Sequence, residues 1–482
     1  MRYYNKLFLL LLAIPVTFSC KKVIDITEED LIAGDIALKT VANNESAIIG
    51  AYAGTVVEMG ILLNATFADE VKVGEFYNAG TTHEWQYGST DVGIRDNYTA
   101  MTPYYRVIDR VNRVLAVLSE AEATRNGDEA VRTRLKGEAL FLRAFAHFEL
   151  FRYYCGPYTP GGLAMPYMEA SSISPQSRIT MDPYFQKLIA DLAEAKTLLP
   201  DNLTDIARAT KLAATALQAR VALYMNDWAS AITFSTEYIN AIPLSPIGSF
   251  GGIWTDANKN ELAFRLERSA NIGGRIGNLF RGTSSIVSGN VNLGTVVWVV
   301  SDKLWNSYDQ ANDVRFDAYL KDEPLLSGAS PARPSHIVKK YAGAPYTQPD
   351  ENVAHAKVFR TGEMYLIRAE ARAESGNFTG AGSAESDINE LRTARINGYT
   401  PVVFASKNEA IDAILLERFK ELPYEGHRFF DLKRRSLPVA RLASDAPTVN
   451  AATLPAGNFR FLLPIPNVEI QANNLMEQNP GY

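Results

Sequence analysis

Ala219-Arg-Val-Ala-Leu-Tyr-Met-Asn-Asp-Trp228-Ala-Ser-Ala231 and Ala369-Glu-Ala-Arg-Ala-Glu-Ser-Gly-Asn-Phe378-Thr-Gly-Ala381 follow one plan. Each is an Ala-rich helical run, a short polar turn, an aromatic ring, then Ala three residues on. Small Ala side chains let two helices approach closely, and the ring after the turn fills the gap between them. The pattern reads as a repeated helix–turn–helix unit. Two unrelated helical hairpins are the alternative. The copies lie roughly 150 residues apart, a spacing that predicts an interrupted array rather than a continuous solenoid.

Further segments extend the helical reading. Val107, Val111, Val114, Leu115 and Leu118 recur at helical spacing within residues 101–120. Residues 132–154 carry a stripe of Leu135, Ala139, Leu142, Ala146 and Leu150, widened by Phe141, Phe145 and Phe148, with Arg134, Arg143 and Arg152 off it. So broad an apolar face suits a helix buried between two neighbours. The predicted class is mainly α: tetratricopeptide-like helical pairs in an α/α superhelix, with an irregular, loop-rich half containing short strands.

Three stretches break the helical pattern. Residues 241–300 are punctuated by Pro and Gly, with β-like runs at Glu261–Leu266 and Thr295–Val300. Residues 321–351 are a second Pro/Gly-rich loop, and residues 68–100 a third irregular stretch rich in aromatics. Long irregular segments inside a compact body are functional or disordered, and their aromatic content argues for order.

Composition narrows the function. The 482 residues are 47% hydrophobic, 10% aromatic and 21% charged, with 48 Lys+Arg against 54 Asp+Glu and a net charge of −6. High apolar content excludes disorder, and the absence of basic blocks speaks against a nucleic-acid surface. Two cysteines exclude a disulfide scaffold. Five histidines speak against a His-rich metal site.

The N-terminus reads as an address. Arg2 and Lys6 precede the apolar run Leu7–Val16, which is too short to span a bilayer and fits a signal sequence. Cys20 follows at the place of a bacterial lipobox cysteine, which implies a lipid on its thiol and removal of residues 1–19. The alternative is ordinary signal cleavage leaving a free thiol. No later apolar run approaches about 20 residues. Residues 20–45, polar and acidic, read as a tether. The body divides into residues 46–240, containing the aromatic loop 68–100, and residues 241–482 with loop insertions.

Catalytic motifs are missing. There is no G-x-S-x-G, and His83-Glu84 has no second His at helical spacing. Asp256 to Glu267 imitates a calcium loop but carries Glu261 where that loop needs Gly. Asp69-Glu70 read as solvated or capping carboxylates rather than an acid/base pair. The sequence implies no catalytic residue, metal or cofactor. It offers rings instead: Phe76, Tyr77, Trp85 and Tyr87 in one irregular stretch, and Trp298 beside a Gly-rich loop. Flat rings stack on the apolar faces of sugars, and Asn78, His83 and Asp91 are candidate polar partners. The expected ligand platform is Tyr77, Trp85, Tyr87 and Trp298, the alternative being rings that pin the loop to the core. Trp228, Trp254 and Trp305 read as core.

Two C-terminal strings are distinctive: Ile414-Leu-Leu-Glu417-Arg418-Phe-Lys-Glu421-Leu422-Pro-Tyr-Glu425-Gly426-His427-Arg428-Phe-Phe-Asp431-Leu432-Lys-Arg, and Leu463-Pro464-Ile465-Pro466-Asn-Val-Glu469-Ile470 with Gln478-Asn479-Pro480-Gly481-Tyr482. They resemble the SusD/RagB family of Bacteroidota outer-membrane lipoproteins. Tyr105 to Asn112, Lys136 to Ala144, Asn260 to Phe264, and Tyr308 with Asp313 and Arg315 extend the resemblance along nearly the whole chain. It implies a non-catalytic, lipid-anchored, surface-exposed lipoprotein of the outer membrane, working as a lid on a SusC-like TonB-dependent transporter and binding oligosaccharides for import. An assembly or gating partner with little binding of its own, or a binder of peptides, are the alternatives. On physical grounds the acids and bases from Glu417 to Asp431 are expected to form a buried ion network locking the C-terminal helix to the array. Pro464 and Pro466 are expected to hold an extended segment over the body.

Overall fold

The computed structural model describes residues 37–75, 80–271 and 274–482. Helix α1 (Val41–Ala53) starts where the Thr40 side chain accepts the Asn43 amide, inside the stretch read as tether. After α2 (Glu58–Phe67) come α3 (Met101–Val117), α4 (Asp128–Tyr154), α5 (Met181–Leu198), α6 (Lys211–Met225) and α7 (Trp228–Ala241). Residues 41–67 together are long and apolar enough to cross a bilayer. They fold instead as two helices, with α1 laid against α3 and α4.

The first predicted hairpin is α6–α7. Thr210 and Asp227 cap the two helices, and Asn226 turns the chain between them in the left-handed region. The second copy is α8 (Thr361–Glu374) followed by α9 (Ala384–Thr393). Ala213, Ala214, Ala216 and Ala219 of α6, and Ala369, Ala371 and Ala373 of α8, are wholly buried. That is the close helix approach the Ala pattern demands.

The expectation of an interrupted array is corrected. Strand β1 (Val71–Val73) precedes β2 (Leu262–Leu266), β3 (Ser284–Val287), β4 (Asn290–Leu293), β5 (Trp298–Val300), β6 (Leu320–Asp322), β7 (His336–Val338) and β8 (Ala356–Arg360). β2 pairs antiparallel with β8, which brings the two ends of the inserted segment together. α8 therefore packs directly on α7, and the helices from α3 to α9 stack each on the next. The break lies in the sequence, not in space. One apolar core runs from Val41 to Met476, across the boundary at residue 241.

The predicted ion network is present and larger than the C-terminal string. Helix α10 (Lys407–Glu421) carries Glu417 and Glu421. Arg315 meets Glu417 at 2.6 Å, Glu421 at 2.9 Å and Asp313 at 2.7 Å. Arg395 bridges Glu421 at 3.0 Å and Glu261 at 2.8 Å. Arg360 joins Glu421 to Glu425, and Lys340 reaches Glu425 at 2.7 Å. Burial alone would raise the Glu417 carboxyl, but Arg315 and Arg392 hold it down at about 2. A methyl at Gly362 would strike Glu421 Oε1 and the Arg360 guanidinium, so only glycine leaves the network room. The proline-rich segment lies over α4 as expected: the Leu463 amide donates to Tyr153 O at 3.0 Å, and Asn479 Nδ2 to Tyr154 O at 2.8 Å.

Asp69 and Glu70 are a second correction, since both are about 1% exposed. Asp69 accepts from Arg428 at 2.8 Å and Lys303 at 2.6 Å. Burial raises Glu70 to about 8, the Tyr424 amide opposing and the Asp69 charge assisting. A loop carboxylate is solvated only if the chain does not return to cover it; here the segment after α10 does.

Candidate functional site

The rings singled out in the sequence do not form a platform. Trp85, Tyr87 and Trp298 are 3%, 1% and 5% exposed. Trp85 Nε1 donates to Phe67 O at 3.0 Å, and the Arg441 guanidinium lies 4.4 Å from its ring centre. The Tyr87 hydroxyl donates to Arg460 O at 2.7 Å, and its ring stacks on Tyr482. Trp298 sits opposite Val73 in the β1–β5 pair and packs on His83 at 4.9 Å. All three pin loops to the core. His83 and Asp91 are also structural. Burial holds the His83 imidazole neutral, its pKa down at about 3, and Nδ1 donates to Thr66 O at 2.6 Å. Asp91 caps a short helix through the Ile94 amide. Tyr77, with Phe76 and Asn78, lies outside the described residues, as does Cys20. Of the tryptophans read as core, Trp254 is buried, while Trp228 and Trp305 are half-buried.

The three irregular stretches nevertheless converge. After β1 the chain runs along the approach to β5: the Gly74 and Glu75 amides donate to Val297 O and Val296 O at 2.7 and 2.9 Å. The β3–β4 hairpin closes through Ser288 and Gly289, both at positive φ, as a tight right-twisted turn requires. At its base Gly282 lies so close to Gly294 that a methyl would come within 2.6 Å of that backbone. β6 pairs with β7, and β5 packs beside β7. Leu293, Val296, Val299, Leu326 and Ile337 form a small apolar core of their own beneath this lobe, with Val291 and Tyr346 against it.

The lobe's surface is charged and ring-bearing. Arg333 pairs with Glu75 at 2.5 Å and donates to Leu293 O and Gly294 O at 2.8 Å, tying the three stretches together. The hydrogen bonds from Arg333 hold the Glu75 carboxyl below its usual range. Tyr346, half-buried, donates its hydroxyl to Glu323 at 2.6 Å, and Lys321 meets the same carboxylate at 2.7 Å. The Arg281 guanidinium lies 5.1 Å from the Tyr346 ring centre. Burial pushes the Tyr346 hydroxyl up to about 12, the Arg281 charge opposing. Around the edge, Trp305 and His336 stack nearly parallel 3.6 Å apart, with Phe316 4.8 Å from Trp305. Half-exposed rings beside fixed charges give a surface that pairs apolar faces with hydrogen-bonding groups.

A separate concavity of about 290 Å³ lies between α3, residues 166–176 and the C-terminal helix α11 (Asn467–Ala472). Much of its polar lining is already satisfied within the protein. Asn473 donates to Gln176 O, Asn112 to Met168 O and the Tyr105 hydroxyl to Pro166 O. The loop-built lobe is therefore the stronger candidate. Sequence reading missed Arg281, Tyr346 and Trp305, although residues 241–300 and 321–351 had been marked as irregular.

Comparison with known proteins agrees with this architecture. Residues 335–482 match the model described as SusD family, and residues 32–223 the model described as starch-binding associating with outer membrane. SusD-like protein P2 of Formosa agariphila is 27% identical over 502 residues, covering 94% of this chain and 95% of that one. A SusD superfamily protein from Bacteroides thetaiotaomicron superposes with a TM-score of 0.78 at 23% identity, covering 92% of this chain and 100% of that one. Surface glycan-binding protein A from the same organism, solved with laminarihexaose, superposes at 0.70 with 19% identity, covering 91% and 99%.

Proposed function

The chain belongs to the SusD/RagB family, and from that premise we propose that it is a non-catalytic, lipid-anchored glycan-binding protein of the outer-membrane surface. It holds oligosaccharides for a SusC-like TonB-dependent transporter. The observation that carries this reading is the convergence of three irregular stretches into one lobe with its own apolar core, bearing Tyr346, Trp305 and His336 among fixed charges. Stacking on a few half-exposed rings gives modest affinity, which suits capture and release. The laminarihexaose held by the fold relative supports the same class.

Binding without chemistry is supported by the fate of the carboxylates. A glycosidase needs two carboxyl groups about 5–10 Å apart across an open cleft. Asp69 and Glu70, the adjacent pair in the irregular stretch 68–100, are buried, and Asp69 is bound to Arg428 and Lys303. Calorimetric titration of the purified protein against a panel of polysaccharides and their oligosaccharides tests the reading. Saturable binding without release of reducing ends is expected, and silence across the panel overturns it.

One feature favours a partner surface as well. The β3–β4 hairpin exposes Ile286 and Val287, 58% and 54% accessible, beyond the lobe. Apolar residues at a protruding tip suit a protein contact, and the transporter is the proposed partner. If Ile286→Asp with Val287→Asp leaves co-purification with the transporter unchanged, that assignment fails.

A further inference from the structure

Arg281 differs from every other buried arginine among the described residues. It is 8% exposed. Arg315, Arg360 and Arg395 meet carboxylates, and Arg178 and Arg441 fork onto backbone carbonyls. Arg281 meets no carboxylate: its guanidinium reaches only the neutral Tyr346 hydroxyl, and its Nη1 is sealed from solvent without a hydrogen-bond partner. The guanidinium also lies 5.1 Å from the Tyr346 ring centre.

A guanidinium taken out of water without a counter-charge is costly and is not kept for stability. The surrounding charges leave the cost standing. Glu323, the acid that the Tyr346 hydroxyl meets, is engaged by Lys321 as well. Glu351 is turned to the Ser284 amide and hydroxyl and to the Thr347 amide. Glu75 is held by Arg333. Arg275, on the same lobe, is likewise held by carbonyls, those of Glu351 and Pro349, with no carboxylate. The backbone at Arg281 is anchored by its amide, which donates to Gly277 O at 2.9 Å, and by the close approach of Gly282 to Gly294 at the hairpin base.

We propose that Arg281 docks an anionic group of the bound glycan, the carboxylate of a uronic acid or a sulfate ester, with the Tyr346 ring as the adjoining wall for the sugar's apolar face. This rests on the glycan-binding reading above and names its substrate class. A planar guanidinium presents two parallel N–H groups to a carboxylate or sulfate, and a ligand bringing that charge supplies the counter-charge that Arg281 lacks in the described structure.

The test is calorimetric titration of the purified protein with a panel of uronate-bearing, sulfated and neutral oligosaccharides, at low and at roughly 0.5 M salt, where exposed charge attraction is screened. The expected result is binding of one anionic series at least about tenfold tighter than the neutral series, a preference that Arg281→Gln abolishes and Arg281→Lys partly keeps. Which anionic series wins separates carboxylate from sulfate. Thermal melts of both variants check folding. Binding of neutral sugars with no anionic preference overturns the assignment to Arg281 and leaves the glycan reading intact. An anionic preference that survives Arg281→Gln in a folded protein also overturns it. No binding to any series removes the glycan reading and this inference together.

Discussion

Arg395 donates to Glu261 at 2.8 Å, both residues fully buried. The bond joins the start of the inserted segment, where Glu261 has a φ of +66°, to the end of α9. A contact between residues 134 apart in sequence thus fixes where the insertion leaves the array. Glu261→Gln leaves Arg395 and Arg360 short of a counter-charge. The expected loss is about 3–5 kcal/mol, read as a lower unfolding midpoint in denaturant, and a loss under about 1 kcal/mol would mean the network is ornamental.

Glu70 sets a pH dependence. Its folded value, about 8, stands above the ordinary 4.5. Between those values the folded state holds a proton that the unfolded chain has released. This contribution is complete below about pH 4.5 and is lost as pH rises through 8, by up to a few kcal/mol. Glu70→Gln, which keeps the shape of the protonated acid, should raise the melting temperature relative to the parent at pH 8 and change it little at pH 4.5. Equal shifts at both pH values would contradict the burial account.

Trp85→Ala should cost about 3–5 kcal/mol, because the ring fills the core and its Nε1 bonds Phe67 O. Thermal unfolding measures it directly. A variant that melted like the parent but bound ligand poorly would restore the ring to the platform expected from sequence.

Tyr346→Ala should do the reverse. The ring is half-buried over a small satellite core, so stability should fall by about 1 kcal/mol or less, while oligosaccharide affinity drops several-fold. Titration and melting of one sample decide whether the two effects separate.

Cys20→Ser should move the protein from the membrane fraction to the soluble fraction, since acylation is the proposed anchor. Retention in the membrane after washing at high salt would point to another attachment.

Periodicity made the helices legible. The 3.6-residue stripe of residues 101–120 and 132–154, and the Ala-rich copies at 219 and 369, reappear as α3, α4, α6–α7 and α8–α9. The charged string after Ile414 also showed its nature, because acids and bases at helical spacing in an apolar setting must find partners. Which rings are buried and which are candidates for a ligand was not legible. In a loop there is no period to say which way a side chain points. Trp85 is buried because Arg441, more than 350 residues later, covers it, and Trp298 because β1 pairs with β5.

The sequence alone determined the helical class, the repeat unit and the family, since each is carried by short-range spacing or by a contiguous string. Only the tertiary structure decided that the array is continuous, that Asp69 and Glu70 are buried, and that Arg281 stands without a counter-charge. Those are properties of what the returning chain brings alongside a residue, and burial and electrostatic pairing depend on neighbours in space rather than in order.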